Sequence, residues 1–256
     1  MLGGCGWLAG GGTLMCRMFG IVTTKSQSIA PWMTGVEPSL RSLAIADKSG
    51  EPNPDGWGVA WYDDGQDCPH VVKDPRPAYE SPLFEQTVRE VSARVALAHV
   101  RRSSGTSPEL ANTHPFVAGR WSFCHNGYCS RERLIEHLLP KFRNSLEGEN
   151  DSEVYFALLL QHLESVADPL DALRGAVHEV MSVGDFTGLN FLLCDGQCMY
   201  AFHYSTDPER HSMYLQHQSG RELVASEPLG TGSWEELPNG SLAVLTPTGH
   251  TLASLI

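Results

Sequence analysis

Met15-Cys16-Arg17-Met18-Phe19-Gly20 places a cysteine directly after a methionine, at the head of an apolar run. If Cys16 is the first residue of the working chain, one residue carries both a thiol and a free α-amine. A thiol of pKa about 8.5 is only partly thiolate at neutral pH, whereas an α-amine of pKa about 8 is neutral in a minority of molecules and can accept the thiol proton. A peptide nitrogen cannot. General-base help of this kind is worth ~10²–10⁴ in rate, so where the chain begins decides how good a nucleophile Cys16 is. Taken alone, a cysteine beside an apolar strand is more simply a small buried hydrophobe.

Four further stretches carry groups suited to such chemistry. His99-Val100-Arg101-Arg102-Ser103-Ser104-Gly105 leaves an apolar run and delivers Arg101, whose planar guanidinium can hold a carboxylate through two parallel hydrogen bonds. Cys124-His125-Asn126-Gly127 follows Trp121-Ser122-Phe123 and reads as a strand ending in a turn. There the Asn126 amide and the Gly127 N–H form a pair of donors for an oxyanion, or an ordinary Asn-Gly hairpin turn. Asn150-Asp151-Ser152-Glu153 precedes a strongly apolar helix, so Asp151 reads as an N-cap or as a carboxylate that accepts an ammonium group. Asp55-Gly56-Trp57-Gly58 lets backbone pass close to a ligand beside an aromatic wall, or is a turn into a strand.

The elements that must position these groups follow from periodicity. Apolar and β-branched runs at 17–24, 57–62, 95–101 and 121–123 read as strands, as do shorter ones at 190–194, 199–204, 222–225 and 241–245. Helical spacing covers 38–48, 83–93, 131–142, 152–163 and 169–181. Strands that follow one another without intervening helices cannot form βαβ units, so the order implies two antiparallel sheets with helices packed outside, in one domain.

Composition narrows the classes. The chain has 256 residues, 41% hydrophobic and 19% charged, which fits a soluble globular protein with a full core. A net charge of −12 with scattered basic residues argues against nucleic acid or an anionic membrane as partner. Seven cysteines without a CxxC pair indicate neither a disulfide framework nor a zinc ribbon, and point to a reducing cytoplasm. Cys194 and Cys198 read as free thiols flanking a turn; Cys124, His125 and Cys129 are a metal set on paper only. Residues 1–15, rich in glycine, lack the basic and continuous apolar regions of a secretory signal and read as an extension, a propeptide or text upstream of the true start at Met15.

These stretches, in this order, resemble the class II glutamine amidotransferases of the N-terminal nucleophile hydrolase superfamily, especially small stand-alone members that begin Met-Cys-Arg. The matching text is Met15-Cys16-Arg17 with Phe19-Gly20, 54–62, 98–105, Asn112-Thr113-His114-Pro115-Phe116, 123–127, Asp151-Ser152-Glu153 and Ala225-Ser226-Glu227-Pro228-Leu229. The resemblance implies a four-layer αββα sandwich spanning residues 16–256, with Cys16 as nucleophile and its α-amine as base. It further implies Asn126 and Gly127 as the oxyanion site, Arg101 on the substrate α-carboxylate and Asp151 on its α-ammonium, with Ser104 and Trp57 lining the pocket. No metal or organic cofactor is implied. The expected substrate is glutamine or a small γ-glutamyl compound, cleaved directly, as in steps of ergothioneine synthesis and glutathione breakdown, or used to feed ammonia to a separate synthase subunit. A non-catalytic binding subunit of the same fold, and a metal protein built on Cys124, His125 and Cys129, are the rival readings.

Overall fold

The computed structural model describes residues 15–103, 105–208 and 210–256. Two antiparallel sheets are stacked face to face. The first contains β1 (Arg17–Ser28), β2 (Trp57–Tyr62), β3 (His70–Asp74), β4 (Ser92–Val100), β9 (Tyr214–Gln218), β10 (Arg221–Ala225) and β11 (Glu235–Glu236), in the order β11-β9-β10-β1-β4-β2-β3. The second contains β5 (Phe116–Ala118), β6 (Trp121–Cys129), β7 (Phe186–Cys194), β8 (Met199–His203), β12 (Ser241–Thr246) and β13 (Gly249–Ser254), in the order β13-β12-β8-β7-β6-β5.

Three buried clusters define the layers. On the central strand β1, alternate residues point to opposite faces. Met18 and Val22 join Leu97, Cys124, Leu192 and Met199 between the sheets. Phe19 and Ile21 turn the other way, toward Leu40 and Leu43 of α1 (Leu40–Ile45) and Phe84 and Val88 of α2 (Pro82–Glu90). Beyond the second sheet, Phe123, Phe191 and Phe202 pack on α5 (Asp151–Ser165) and α6 (Pro169–Val183). The chain is thus the αββα sandwich, and its central strands are apolar on both faces because each sheet is covered twice. Gly20 lets the sheets press together, since a Cβ there would stand 2.3 Å from Met199 Sδ. Among the described residues no helix is long and apolar enough to cross a membrane.

Several local expectations change. The stretch 131–142 is not one helix but α3 (Arg131–Leu134), a 3₁₀ turn (Ile135–His137) and α4 (Pro140–Arg143). Pro140 lacks an N–H and forces Leu139 into the extended region, so it can start a helix but not continue one. The helix at 83–93 stops at Glu90, because Ala93 already pairs with Gln27 in the first sheet. Asn126-Gly127 is not a turn: β6 runs on to Cys129, with Asn126 opposite Asn190 and Gly127 opposite Leu189. Cys124 lies in the core between the sheets while Cys129 faces α5, so the two thiols of the paper metal set cannot converge on one ion.

Candidate active site

Cys16 immediately precedes β1, which is clamped between β4 and β10, and its position follows from that of the central strand. Its backbone N–H donates to Asn126 Oδ1 at 3.1 Å. Its Sγ accepts the Arg102 N–H at 3.3 Å and lies 3.4 Å from the Arg102 carbonyl. Burial pushes the thiol up to about 11, against the opposing pull of the Arg102 N–H and of the Arg101 and Arg17 guanidiniums. A thiol so placed stays protonated at neutral pH unless a base takes its proton. In this chain the Cys16 nitrogen is the peptide nitrogen joined to Met15, itself only 5% exposed.

Arg101 immediately follows β4 and is 2% exposed. Its Nη1 donates to the carbonyls of Asp55 and Ser107, and its Nη2 to Ser103 Oγ and to the Thr106 carbonyl and Oγ1. The Pro54-Asp55-Gly56-Trp57-Gly58 stretch accounts for this placement. Asp55 and Gly56 exchange backbone hydrogen bonds with Arg101, and the Asp55 carboxylate accepts the Ser103 N–H at 2.7 Å. Gly58 opens room for protein and not for a ligand, since a Cβ there would stand 2.3 Å from the His114 carbonyl oxygen. Trp57 is fully buried, edge-on to Phe84 beneath the first sheet, and does not line the cleft. The substrate-lining role expected of it is therefore withdrawn; it is a core residue. Ser104 lies outside the described residues.

Asp151 is the first residue of α5, and the cap is its neighbour: Asn150 Oδ1 accepts the Ser152 N–H at 2.9 Å. This frees Asp151 from the capping role read from the sequence. Its Oδ2 accepts the Cys129 N–H at 2.9 Å, tying the helix to the bulged end of β6. Gly127 has φ 145°, and a Cβ on it would overlap the Gly188 carbonyl at 2.0 Å, so only glycine fits there.

Cys16, Arg101, Gly127 and Asp151 line one small cleft, together with Arg102, Thr106, His114, His125 and Ser152. Asn126 reaches it through the Cys16 nitrogen. Of the histidines in the motifs 98–105, 112–116 and 123–127, His99 and His114 were given no role from sequence, and His125 only that of a metal ligand on paper. His99 and His114 stack with centroids 4.1 Å apart, and burial holds both well below the usual histidine range. His125 Nε2 donates to the Gly188 carbonyl at 3.1 Å, so its Nδ1 accepts the Ser152 hydroxyl at 2.8 Å, and the ring is neutral. The signal available was their repetition: His99 and His125 each stand two residues before a cleft group, Arg101 and Gly127, and His114 lines the cleft itself. Arg17 was also passed over. It donates to the Cys16 carbonyl at 2.8 Å and forms ion pairs with Asp47 at 2.7 Å and Glu227 at 2.5 Å, all buried. That network brings Glu227, far along the chain, beside the residue that follows Cys16.

Residues 15–218 match the family model described as glutamine amidotransferases class-II. The gamma-glutamyl-hercynylcysteine sulfoxide hydrolase of Mycobacterium tuberculosis is 28% identical over 246 residues, covering 94% of this chain and 97% of that protein. A glutamine aminotransferase class-II domain protein from Silicibacter pomeroyi superposes with a TM-score of 0.70 at 26% identity, covering 93% of this chain and 99% of that one. The glutamine phosphoribosylpyrophosphate amidotransferase of B. subtilis shares the fold, with a TM-score of 0.69 at 17% identity, over 94% of this chain and 49% of its own.

Proposed function

The chain belongs to the class II glutamine amidotransferases and is an amidohydrolase of that type, and on this premise we propose that it cleaves γ-glutamyl amide bonds through a thioester on Cys16. The observation that carries the reading is the convergence of Cys16, Arg101, Gly127 and Asp151, from four separate segments, on one cleft.

The Cys16 α-amine takes the thiol proton, and the thiolate attacks the γ-carbonyl, forming a carbon–sulfur bond. The carbonyl oxygen becomes an oxyanion that the Asn126 amide and Gly127 stabilise. As the carbon–nitrogen bond breaks, the α-ammonium returns its proton to the departing nitrogen, which leaves as ammonia or a larger amine. Water then gives a proton to the same amine while its oxygen attacks the thioester, and the sulfur departs as thiol, leaving free glutamate. Arg101 holds the α-carboxylate and Asp151 the α-ammonium throughout. This mechanism requires Cys16 to be the first residue, because a thiol raised to about 11 has no other base within hydrogen-bond distance among the described residues. The family match that begins at Met15 supports that start.

Direct hydrolysis is favoured over ammonia supply to a separate synthase subunit by one comparison. The γ-glutamyl-hercynylcysteine sulfoxide hydrolase of Mycobacterium tuberculosis is matched along 97% of its length. The test compares glutamine and a γ-glutamyl peptide with their α-amidated and N-acetylated forms, on the wild-type protein and on Asp151→Asn. Blocked forms should react poorly with the wild type, and the variant should lose its preference for a free α-ammonium. Equal cleavage of blocked and unblocked forms would refute the roles of Arg101 and Asp151.

A further inference from the structure

A second cavity, of about 360 Å³, lies where the edge strands β3 and β5 meet α5. It shares no lining residue with the Cys16 cleft, and its size is that of a small-molecule site. Phe116, Ala118, Leu146, Phe156, Ala157 and Leu160 give it apolar walls. Three charges interrupt them: Lys73, Glu147 and Glu153.

Lys73 is the unusual member. Long lysine side chains ordinarily carry their ammonium out to water. This one makes neither a hydrogen bond nor an ion pair with the described residues, and its Nζ lies 5.6 Å from the centre of the Phe116 ring. Burial draws its pKa below the usual lysine range, while Glu147 and Glu153 oppose that shift from farther off. The Glu153 carboxylate is already fixed in place, accepting the Glu147 N–H at 2.7 Å and the Gly148 N–H at 2.9 Å. A cation without an ion-pair partner thus shares one apolar-walled pocket with two carboxylates. A simple carboxylic acid entering here would be repelled by the glutamates, and a simple amine by Lys73. A zwitterion with an apolar body satisfies both ends.

We propose that this cavity binds a free α-amino acid with an apolar side chain. Its carboxylate pairs with Lys73, its ammonium with Glu147 and Glu153, and its side chain packs on Phe116 and Phe156. The site is separate from the chemistry but next to it, because the Phe116 ring meets His114 edge-on at 4.7 Å and His114 lines the Cys16 cleft.

Isothermal titration of the full chain with L-leucine, N-acetyl-L-leucine and L-leucinamide tests the assignment. Leucine should bind saturably, and each blocked form about tenfold or more weaker. Lys73→Met should abolish binding, as should Ala118→Phe, which fills the pocket from the half-buried edge strand without touching a charge. Arg101→Ala should leave leucine binding intact. The proposal is overturned if leucine does not saturate, if the blocked forms bind equally, or if binding survives whichever of Lys73→Met and Ala118→Phe folds. Loss of binding in Arg101→Ala would overturn it too, by moving the leucine into the Cys16 cleft.

Discussion

Asn126 spends its Oδ1 on the Cys16 nitrogen, which leaves its Nδ2 group as the donor end. It is 1% exposed in the interior of β6, so its position is set by strand pairing on both sides of the residue and not by a turn that could relax. Preorganised donors of this kind act on the charge that develops in the transition state and little on the ground state. Asn126→Ala is therefore expected to lower kcat by ~10²–10³ with KM nearly unchanged, a loss of about 2.7–4 kcal/mol of transition-state stabilisation. Steady-state kinetics normalised to folded protein check this. A purely structural asparagine would instead lower the folded fraction and leave turnover per folded molecule unaltered.

At the scale of elements, the site rests on two junctions: the bulged end of β6, and the first turn of α5. Asn150 caps that turn, and its Nδ2 donates to the Asn112 carbonyl at 3.0 Å, so the cap also anchors the segment that carries His114. Loss of an N-cap costs about 0.5–2 kcal/mol. Asn150→Ala is expected to destabilise by that amount and to raise KM for a γ-glutamyl substrate more than it lowers kcat, since Asp151 loses its fixed direction; denaturant titration and kinetics on the same preparation separate the two effects. The sequence made the core strands legible, because β1, β2 and β4 are apolar runs covered on both faces. It also supplied Cys16, Arg101, Gly127 and Asp151, because their motifs occur in a fixed order. It hid β3, β9, β11 and β13, which are short and interrupted by polar residues, and β5, which is three residues long. It misassigned Trp57 and the end of β6, because an aromatic beside glycines, or an Asn-Gly pair, reads the same in a core strand as in a turn or pocket wall. Only long-range pairing separates those cases.

The whole molecule carries a pH signature. His99 and His211 are held by burial at about 3 and about 4, and burial lowers His114 and His125 as well. In the unfolded chain these rings titrate near 6.5, so below that pH the unfolded state binds protons that the folded state refuses, for His99 and His211 down to about 3 and about 4. Their contribution is fully present above pH 6.5 and is lost as pH falls through that window. Each such histidine contributes a slope of about 1.4 kcal/mol per pH unit. Urea unfolding is expected to show stability dropping steeply from pH 6.5 to 4, and a flat profile across that range would mean that these rings are not dry in solution.

In the proposed mechanism Cys16 carries the substrate's acyl group. The most direct measurement is acid quenching of the protein that begins at Cys16 during turnover of a γ-glutamyl peptide, followed by peptide mapping of the trapped species by mass spectrometry. A γ-glutamyl thioester is expected on the Cys16 peptide and is expected to be absent from Cys16→Ala, which should also be inactive. Turnover with the acyl group on another residue, or hydrolysis that persists in Cys16→Ala, would contradict it.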